Sequence, residues 1–368
     1  MPTTVSEDQV LEALRSVYDP DLRKDLVTLG MVQKLHIDDD VVSFDIVLTT
    51  PACPLKDKMR DDAHAAVMAL HGVRQVNVNM DAQVTGRIQG PDRAGLPTVK
   101  NIVAVASNKG GVGKTTVAVN LAIALAKTGA QVGLLDADIT GPNVPLMMGV
   151  KEQPPQLGDG LPVAEAWGVK FISIAFFLPS NDSPVIWRGP MVSGAIQQML
   201  RDAMWGDLDY LIVDLPPGTG DAALTLAQAV PLSGAVVVIT PQEVALMDAV
   251  KAIGMFQRLE VPVIGLVENM SYFLCPHCGE RTEIFGHGGA RSTAERLDLP
   301  FLGEIPISTV VRAGSDAGLP VTATDADKGG RACFDDLAGE VARKISVLNA
   351  EAKANSPFAG RIIPLMSG

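Results

Sequence analysis

The stretch Ile102-Val103-Ala104-Val105-Ala106-Ser107-Asn108-Lys109-Gly110-Gly111-Val112-Gly113-Lys114-Thr115-Thr116 decides the fold of this chain. A short apolar run, the length of a buried strand, feeds a glycine-rich turn that ends in Lys-Thr-Thr at the start of a helical pattern. Backbone N–H groups of such a turn face phosphate oxygens, Lys114 supplies a point charge for the β- and γ-phosphates, and the Thr115 hydroxyl is placed to ligate Mg²⁺. Asn108 stands where the strict pattern has its first glycine, yet Gly110, Gly111, Val112, Gly113 and Thr116 keep the mechanics of a P-loop for ATP. Lys109 adds a second cation at the loop entrance, beyond what cradling one nucleotide demands.

Downstream of the P-loop, short apolar runs at 132–135, 210–213, 235–240, 263–267 and 301–305 alternate with longer helical segments. That is the βα rhythm of a doubly wound, mostly parallel α/β sheet, with ligands expected at the carboxyl ends of the strands. Two runs end in acids. Asp136-Ala137-Asp138 follows one, and Asp214 closes the other before Leu215-Pro216-Pro217-Gly218-Thr219-Gly220-Asp221. An apolar strand closing in a carboxylate is what a Walker B segment needs, so Asp214 is expected to hold Mg²⁺ through water. Gly218 can offer its backbone N–H to the γ-phosphate, so loss of that phosphate would release its loop.

Upstream, residues 1–80 read as helix, strand, strand, helix, strand, a small α+β domain. Ser6 with Gln9 forms a capping-box pattern, and Val10, Leu14 and Val17 repeat at helical spacing. Segments 31–37 and 41–48 flank the turn Asp38-Asp39-Asp40 as a half-buried hairpin would. Residues 81–100 lose all apolar period among Gly86, Gly90, Pro91, Gly95 and Pro97 and read as a linker. The P-loop domain is expected over 101–350, with a tail at 351–368.

Composition narrows the function classes. The 368 residues are 47% hydrophobic and carry a net charge of −12 with no lysine/arginine cluster, which argues against nucleic acid. No stretch has the length a membrane helix requires, and Met1-Pro2-Thr3-Thr4-Val5-Ser6 lacks a basic-then-apolar signal, so a cytoplasmic protein without membrane partners is expected. Four cysteines occur, Cys53, Cys275, Cys278 and Cys333. Cys275-Pro276-His277-Cys278 is a C-x₂-C loop, which serves three chemistries: half a zinc ribbon, a dithiol, or a thiolate pair for an iron-sulfur cluster. No second C-x₂-C is present. Cys53 precedes a helix whose N–H groups could activate it, and Cys333 reads as core.

The segment Lys109-Gly110-Gly111-Val112-Gly113-Lys114-Thr115 resembles the deviant Walker A of the MinD, ParA and nitrogenase-iron-protein class. By that resemblance Lys109 acts on the nucleotide of a partner subunit, Asp138 orients or deprotonates the attacking water, and Asn269 reads adenine. A twofold dimer then follows, and two copies of Cys275 and Cys278 give the four thiolates that a [4Fe-4S] cluster takes. Together with Asp-Ala-Asp-Ile-x-Gly-Pro at 136, Val-Glu-Asn-Met-Ser at 267 and Cys-Pro-His-Cys-Gly at 275, these motifs resemble the Mrp/ApbC group of iron-sulfur carrier ATPases across about 100–348. The first 80 residues are similar to PaaD and SufT on Asp19-Pro20, Leu29-Gly30 and Thr49-Thr50-Pro51-Ala52-Cys53-Pro54. The resemblance implies a homodimer that hydrolyses ATP, binds a cluster from scaffold proteins and delivers it to apo-proteins. Other readings are a positioning ATPase of MinD/ParA type, a scaffold that binds ATP without hydrolysis, and a zinc-binding metallochaperone.

Overall fold

The structure, a computed structural model, describes residues 5–86, 96–139, 141–156, 159–178, 189–218 and 220–354. Thr140, Thr219, the middle of the expected linker and all but the first four residues of the expected tail lie outside the described residues. Two compact units divide the chain: one takes 1–50, 55–88 and 343–368, the other 51–54 and 89–342.

In the first unit, helix α1 (Glu7–Leu14) begins on the expected capping box, with the Ser6 N–H donating to Gln9 Oε1 at 2.9 Å and the Gln9 N–H donating to Ser6 Oγ at 3.3 Å. A two-residue ribbon, β1 (Tyr18–Asp19) against β2 (Lys24–Asp25), was not foreseen from the sequence. Strands β3 (Val32–Asp38) and β4 (Val41–Leu48) form the expected antiparallel hairpin around the acidic turn. Helix α2 (Lys56–Met68) then crosses back so that β5 (Gln75–Ala82) lies parallel to β4. Val10, Leu14, Phe44, Ile46, Met59, Ala63 and Val67 are buried and supply the driving force for this layer of helices on a three-stranded sheet.

In the second unit, β6 (Val99–Ala106) lies inside a nine-stranded sheet. Helix α3 (Lys114–Lys127) leaves the P-loop; then come β7 (Val132–Asp136), α4 (Val144–Met147), β8 (Ala164–Ala166), β9 (Val169–Ser173), α5 (Gly189–Arg201) and β10 (Leu208–Asp214). The chain continues through α6 (Asp221–Ala229), β11 (Gly234–Ile239), α7 (Glu243–Arg258), β12 (Val263–Leu274), β13 (Arg281–Thr282), α8 (Gly289–Arg296), β14 (Phe301–Ile307), α9 (Thr309–Ala317) and α10 (Lys328–Ala354). The order is β13-β12-β11-β6-β10-β7-β9-β8, with β14 also paired to β12; β8 and β13 pair antiparallel and the other seven run parallel. Strands β6, β10 and β11 are buried on both faces, which is why they read as unbroken Val/Ile/Leu runs.

β6 sits where the strand order turns, with β10 and β7 continuing to one side and β11 and β12 to the other. Its carboxyl end is therefore the crevice at which open α/β sheets bind ligands. The sequence reading missed β9, whose second residue, Lys170, breaks the apolar run, and ended β12 seven residues early.

Candidate functional site

The loop between β6 and α3 is held in an unusual conformation by its glycines. Gly111 and Gly113 both take φ +80°, and a Cβ on Gly113 would collide with the Asn269 amide. Gly113 caps α3, which begins at Lys114. One cleft of about 740 Å³ is lined by Lys109, Gly110, Gly111, Gly113, Lys114, Thr115, Thr116, Asp138 and Asn269. The fold thus gathers most of the expected nucleotide residues around one cleft. Val112 is turned into the core, and Asn108 is half-buried outside the cleft lining.

The electrostatic centre is the buried pair of Lys114 and Asp214 with the half-buried Thr115. Lys114 Nζ donates to Asp214 Oδ1 at 2.6 Å, and Thr115 Oγ1 donates to Asp214 Oδ2 at 2.7 Å. Burial pushes the Asp214 carboxyl up, and the Lys114 ammonium opposes it. Thr115 and Asp214 are hard oxygen donors side by side, so they fit Mg²⁺, which when bound would neutralise phosphate charge. Asp138 Oδ2 lies 3.9 Å from Lys114 Nζ, close enough to share the same field.

Asp136 had no role in the sequence reading but organises the loop that carries Asp138. It accepts from Ser173 Oγ at 2.8 Å and from the Val144 and Asp138 N–H groups at 3.3 and 3.2 Å. Burial pushes its carboxyl up to about 8, with the neighbouring Asp214 adding to the rise.

Two residues are differently engaged from what the sequence suggested. The Gly218 N–H, expected to face the γ-phosphate, donates to the Ser107 carbonyl at 2.8 Å, so contact with a phosphate requires exchanging that bond. The Asn269 amide, expected to read adenine, donates to the Val112 carbonyl at 2.8 Å and so braces the P-loop from β12. Lys109 Nζ lies 3.1 Å from Asp248 Oδ2 on α7, which also accepts from Lys251. Asp248 was not singled out, because a lone acid on an amphipathic helix carries no sequence signal.

The cysteines follow directly after the end of the same β12. The last two residues of this strand pair antiparallel with β13, Phe273 against Thr282 and Leu274 against Arg281, so Cys275 and Cys278 sit in the turn of a hairpin. The Cys275 N–H donates to the Glu280 carbonyl at 3.0 Å and the Gly279 N–H returns to the Cys275 carbonyl at 2.8 Å. N–H groups of Cys278 and then His277, with the Cys278 side chain, hold the Cys275 thiol below its ordinary pKa, favouring thiolate. Cys278 is exposed and Cys275 half-buried. Among the described residues, no group of three or more His, Cys, Asp or Glu is placed to hold a metal ion.

Arg281 stacks on the Tyr272 ring at 4.0 Å and pairs with Glu304 at 3.3 Å. Buried Glu268 accepts from Ser271 Oγ at 2.6 Å and from the Gly288 and Ala290 N–H groups at 3.1 and 2.7 Å, tying both ends of the hairpin region together. Cys333, expected in the core, is only half-buried: its Sγ donates to the Gly329 carbonyl within α10, and burial raises its thiol pKa. Cys53 is likewise half-buried.

A seven-stranded parallel run with a glycine loop, lysine, threonine and strand-end carboxylate at its switch point defines a P-loop NTPase of the MinD/ParA-like fold. The chain belongs to the NUBPL iron-transfer P-loop NTPase family, whose model matches residues 98–342, and residues 7–80 match an iron-sulfur cluster assembly protein domain.

Among its relatives, the iron-sulfur cluster carrier protein of Synechocystis is 47% identical over 349 residues, 93% of this chain and 99% of that protein. The iron-sulfur cluster transfer protein NUBPL of Dictyostelium discoideum is 49% identical over 261 residues, 70% of this chain and 80% of that one. A nucleotide-binding protein from Archaeoglobus fulgidus, solved in complex with ADP, superposes with a TM-score of 0.55 at 43% identity, covering 61% of this chain and 88% of that one. The cell division ATPase MinD of Pyrococcus furiosus shares the fold, with a TM-score of 0.50 at 23% identity over 66% of this chain and 98% of its own. Among the described residues no helix is long and apolar enough to cross a membrane.

Proposed function

We propose that this chain is a cytoplasmic, Mg²⁺-dependent ATPase that carries iron-sulfur clusters, holding a [4Fe-4S] cluster between two copies of itself and delivering it to apo-proteins. The observation that carries this reading is the cysteine hairpin: one chain presents two cysteine ligands, one of them exposed, in the turn that follows the strand which also braces the P-loop. A [4Fe-4S] cluster takes four thiolates, and a second copy related by a twofold axis supplies the other two. Membership of an iron-transfer family and the names of the relatives support the cargo.

In this reading the P-loop N–H groups and Lys114 hold the β- and γ-phosphates, which draw Lys114 off Asp214. Thr115 and Asp214 keep Mg²⁺, Asp138 orients water toward the γ-phosphate, and Lys109 of each copy stabilises charge on the other copy's nucleotide. Gly218 trades its bond to Ser107 for one to the γ-phosphate, so that hydrolysis lets its loop return. Scaffold proteins load the cluster and apo-proteins receive it.

The test is transfer. Protein reconstituted without oxygen is mixed with an apo-acceptor that needs a [4Fe-4S] cluster, and acceptor activity is followed with wild type and with the Cys275→Ala/Cys278→Ala double variant. Wild type should activate the acceptor and the variant should not. A colourless wild type that takes up one zinc per chain and activates nothing would refute the proposal.

A further inference from the structure

The arm that closes the cysteine hairpin also enters the nucleotide cleft. After β13 the chain passes through Glu283 to Ile284 and Phe285, and both side chains line the cleft that holds Lys114 and Thr115. Ile284 is 53% and Phe285 40% exposed, so this Ile-Phe pair borders an open space. Pro306 and Ile307 at the end of β14, Val311 on α9, and Leu146 and Met147 on α4 add apolar surface to the same cleft, beside the polar Ser308, Arg312, Ser315 and Asp316.

The cleft is therefore divided in kind. Its P-loop end is charged and rich in N–H donors, while the rest mixes apolar side chains, one aromatic ring among them, with the polar groups of Ser308, Arg312, Ser315 and Asp316. A nucleoside triphosphate has the same division, a polyanion at one end and a flat purine at the other. With the triphosphate on the P-loop, the base has to lie in the rest of the cleft, where Ile284 and Phe285 are. An aromatic ring with an open face is what a purine stacks on.

We propose that Ile284 and Phe285 form the wall against which the purine base of the bound nucleotide packs, so that the hairpin presenting Cys275 and Cys278 is itself part of the nucleotide pocket. This rests on the reading of the cleft as an ATP site. The mechanical path is short. Residues 283–287 run between two fixed points, the β12–β13 pairing on one side and the Gly288 and Ala290 N–H groups bound by Glu268 on the other. The arm is further held by His287, whose Nε2 lies 3.1 Å from Glu304, the residue that also pairs with Arg281. A base that holds Phe285 in place therefore restrains β13 three residues away, and with it the turn carrying the cysteines. By reciprocity, whatever fixes the cysteine turn strengthens nucleotide binding.

The experiment uses the full chain without cluster, in a Cys53→Ser/Cys333→Ser background so that alkylation reports on Cys275 and Cys278. Calorimetry gives the affinities for ATPγS and for inorganic tripolyphosphate, which has the polyanion but no base. Iodoacetamide labelling at fixed pH, read by mass spectrometry of the hairpin peptide, gives thiol accessibility.

Phe285→Ala should weaken ATPγS about tenfold, the scale of one lost base–aromatic stack, and leave tripolyphosphate unchanged, which also shows that the P-loop is intact. Phe285→Leu should recover part of the loss. Saturating ATPγS should slow alkylation severalfold in the parent, tripolyphosphate should not, and Phe285→Ala should remove the protection. If the parent binds ATPγS and Phe285→Ala binds it equally, or if tripolyphosphate protects as well as ATPγS, the wall is refuted while the ATP site stands. A parent that binds neither ligand refutes the ATP site and the wall with it.

Discussion

Replacing Asp248 by Asn tests whether Lys109 serves a second copy of the chain. Lys109 Nζ is 3.1 Å from Asp248 Oδ2, and Lys251 Nζ is 3.0 Å from Asp248 Oδ1. For Lys109 to reach a partner's nucleotide, this ion pair has to open in each protomer. The Lys109 side chain is 39% exposed, and pairs of that exposure shift an equilibrium by roughly one-and-a-half- to fivefold. A twofold dimer opens two of them, so the factors multiply to about two- to thirtyfold. Asp248→Asn removes the competing carboxylate and should lower the protein concentration giving half-maximal specific ATPase activity by that factor. Affinity of dilute protein for nucleotide should stay within about twofold, because the pair lies at the loop entrance. The assay is specific activity across a protein dilution series, with sedimentation velocity in ATPγS as a direct check on assembly. The gain should shrink at high salt, which screens the pair in the parent. An unchanged or increased concentration requirement would refute the idea that Asp248 holds Lys109 back from a partner.

Other perturbations test the remaining parts of the site. Glu268→Gln leaves at least one of three hydrogen-bond donors facing an amide N–H, at a cost of about 2–4 kcal/mol, and should make the Cys275–Cys278 peptide label faster well below the global urea midpoint; equal labelling would remove Glu268 as the hairpin's anchor. Gly113→Ala should weaken nucleotide binding about tenfold or more, since φ is +80° and a Cβ meets the Asn269 amide, and adding Asn269→Ala should recover part of that loss. Asp136 is pushed up to about 8 from 3.8, so the folded state holds an extra proton between about pH 4 and pH 8. Stability therefore declines as pH rises through that window. The urea midpoint of wild type minus that of Asp136→Asn should fall from pH 4 to pH 8 and level off above it, and a flat difference would show Asp136 ionised throughout.

Where the reading from sequence succeeded, the signal was local and repeated. The strands β6, β7, β10 and β11 are buried on both faces, so each appears as a compact apolar run, and the glycines of the P-loop answer to two positive φ angles in five residues. Ser6 and Gln9 are a capping box in sequence and in space. What escaped the reading was made by long-range pairing. The partnership of Lys109 with Asp248 spans 139 positions, and that of Asn269 with Val112 spans 157. Neither is encoded by spacing. The cysteine hairpin was hidden for a related reason: β13 is two residues long, too short for any alternation to register, and it is held by Arg281 on Tyr272 and Glu304 rather than by a buried face. Phe285 was not singled out, because a lone aromatic before Gly286-His287-Gly288 carries no periodic signal, and only the cleft supplies its context.

The central claim is that two chains share one cluster, and native mass spectrometry of the anaerobically reconstituted protein measures this most directly. The account predicts a dimer carrying four iron and four sulfide, with the Cys275→Ala/Cys278→Ala double variant carrying none. A monomer that binds its own metal at full stoichiometry, whether zinc or an iron-sulfur cluster, would contradict it.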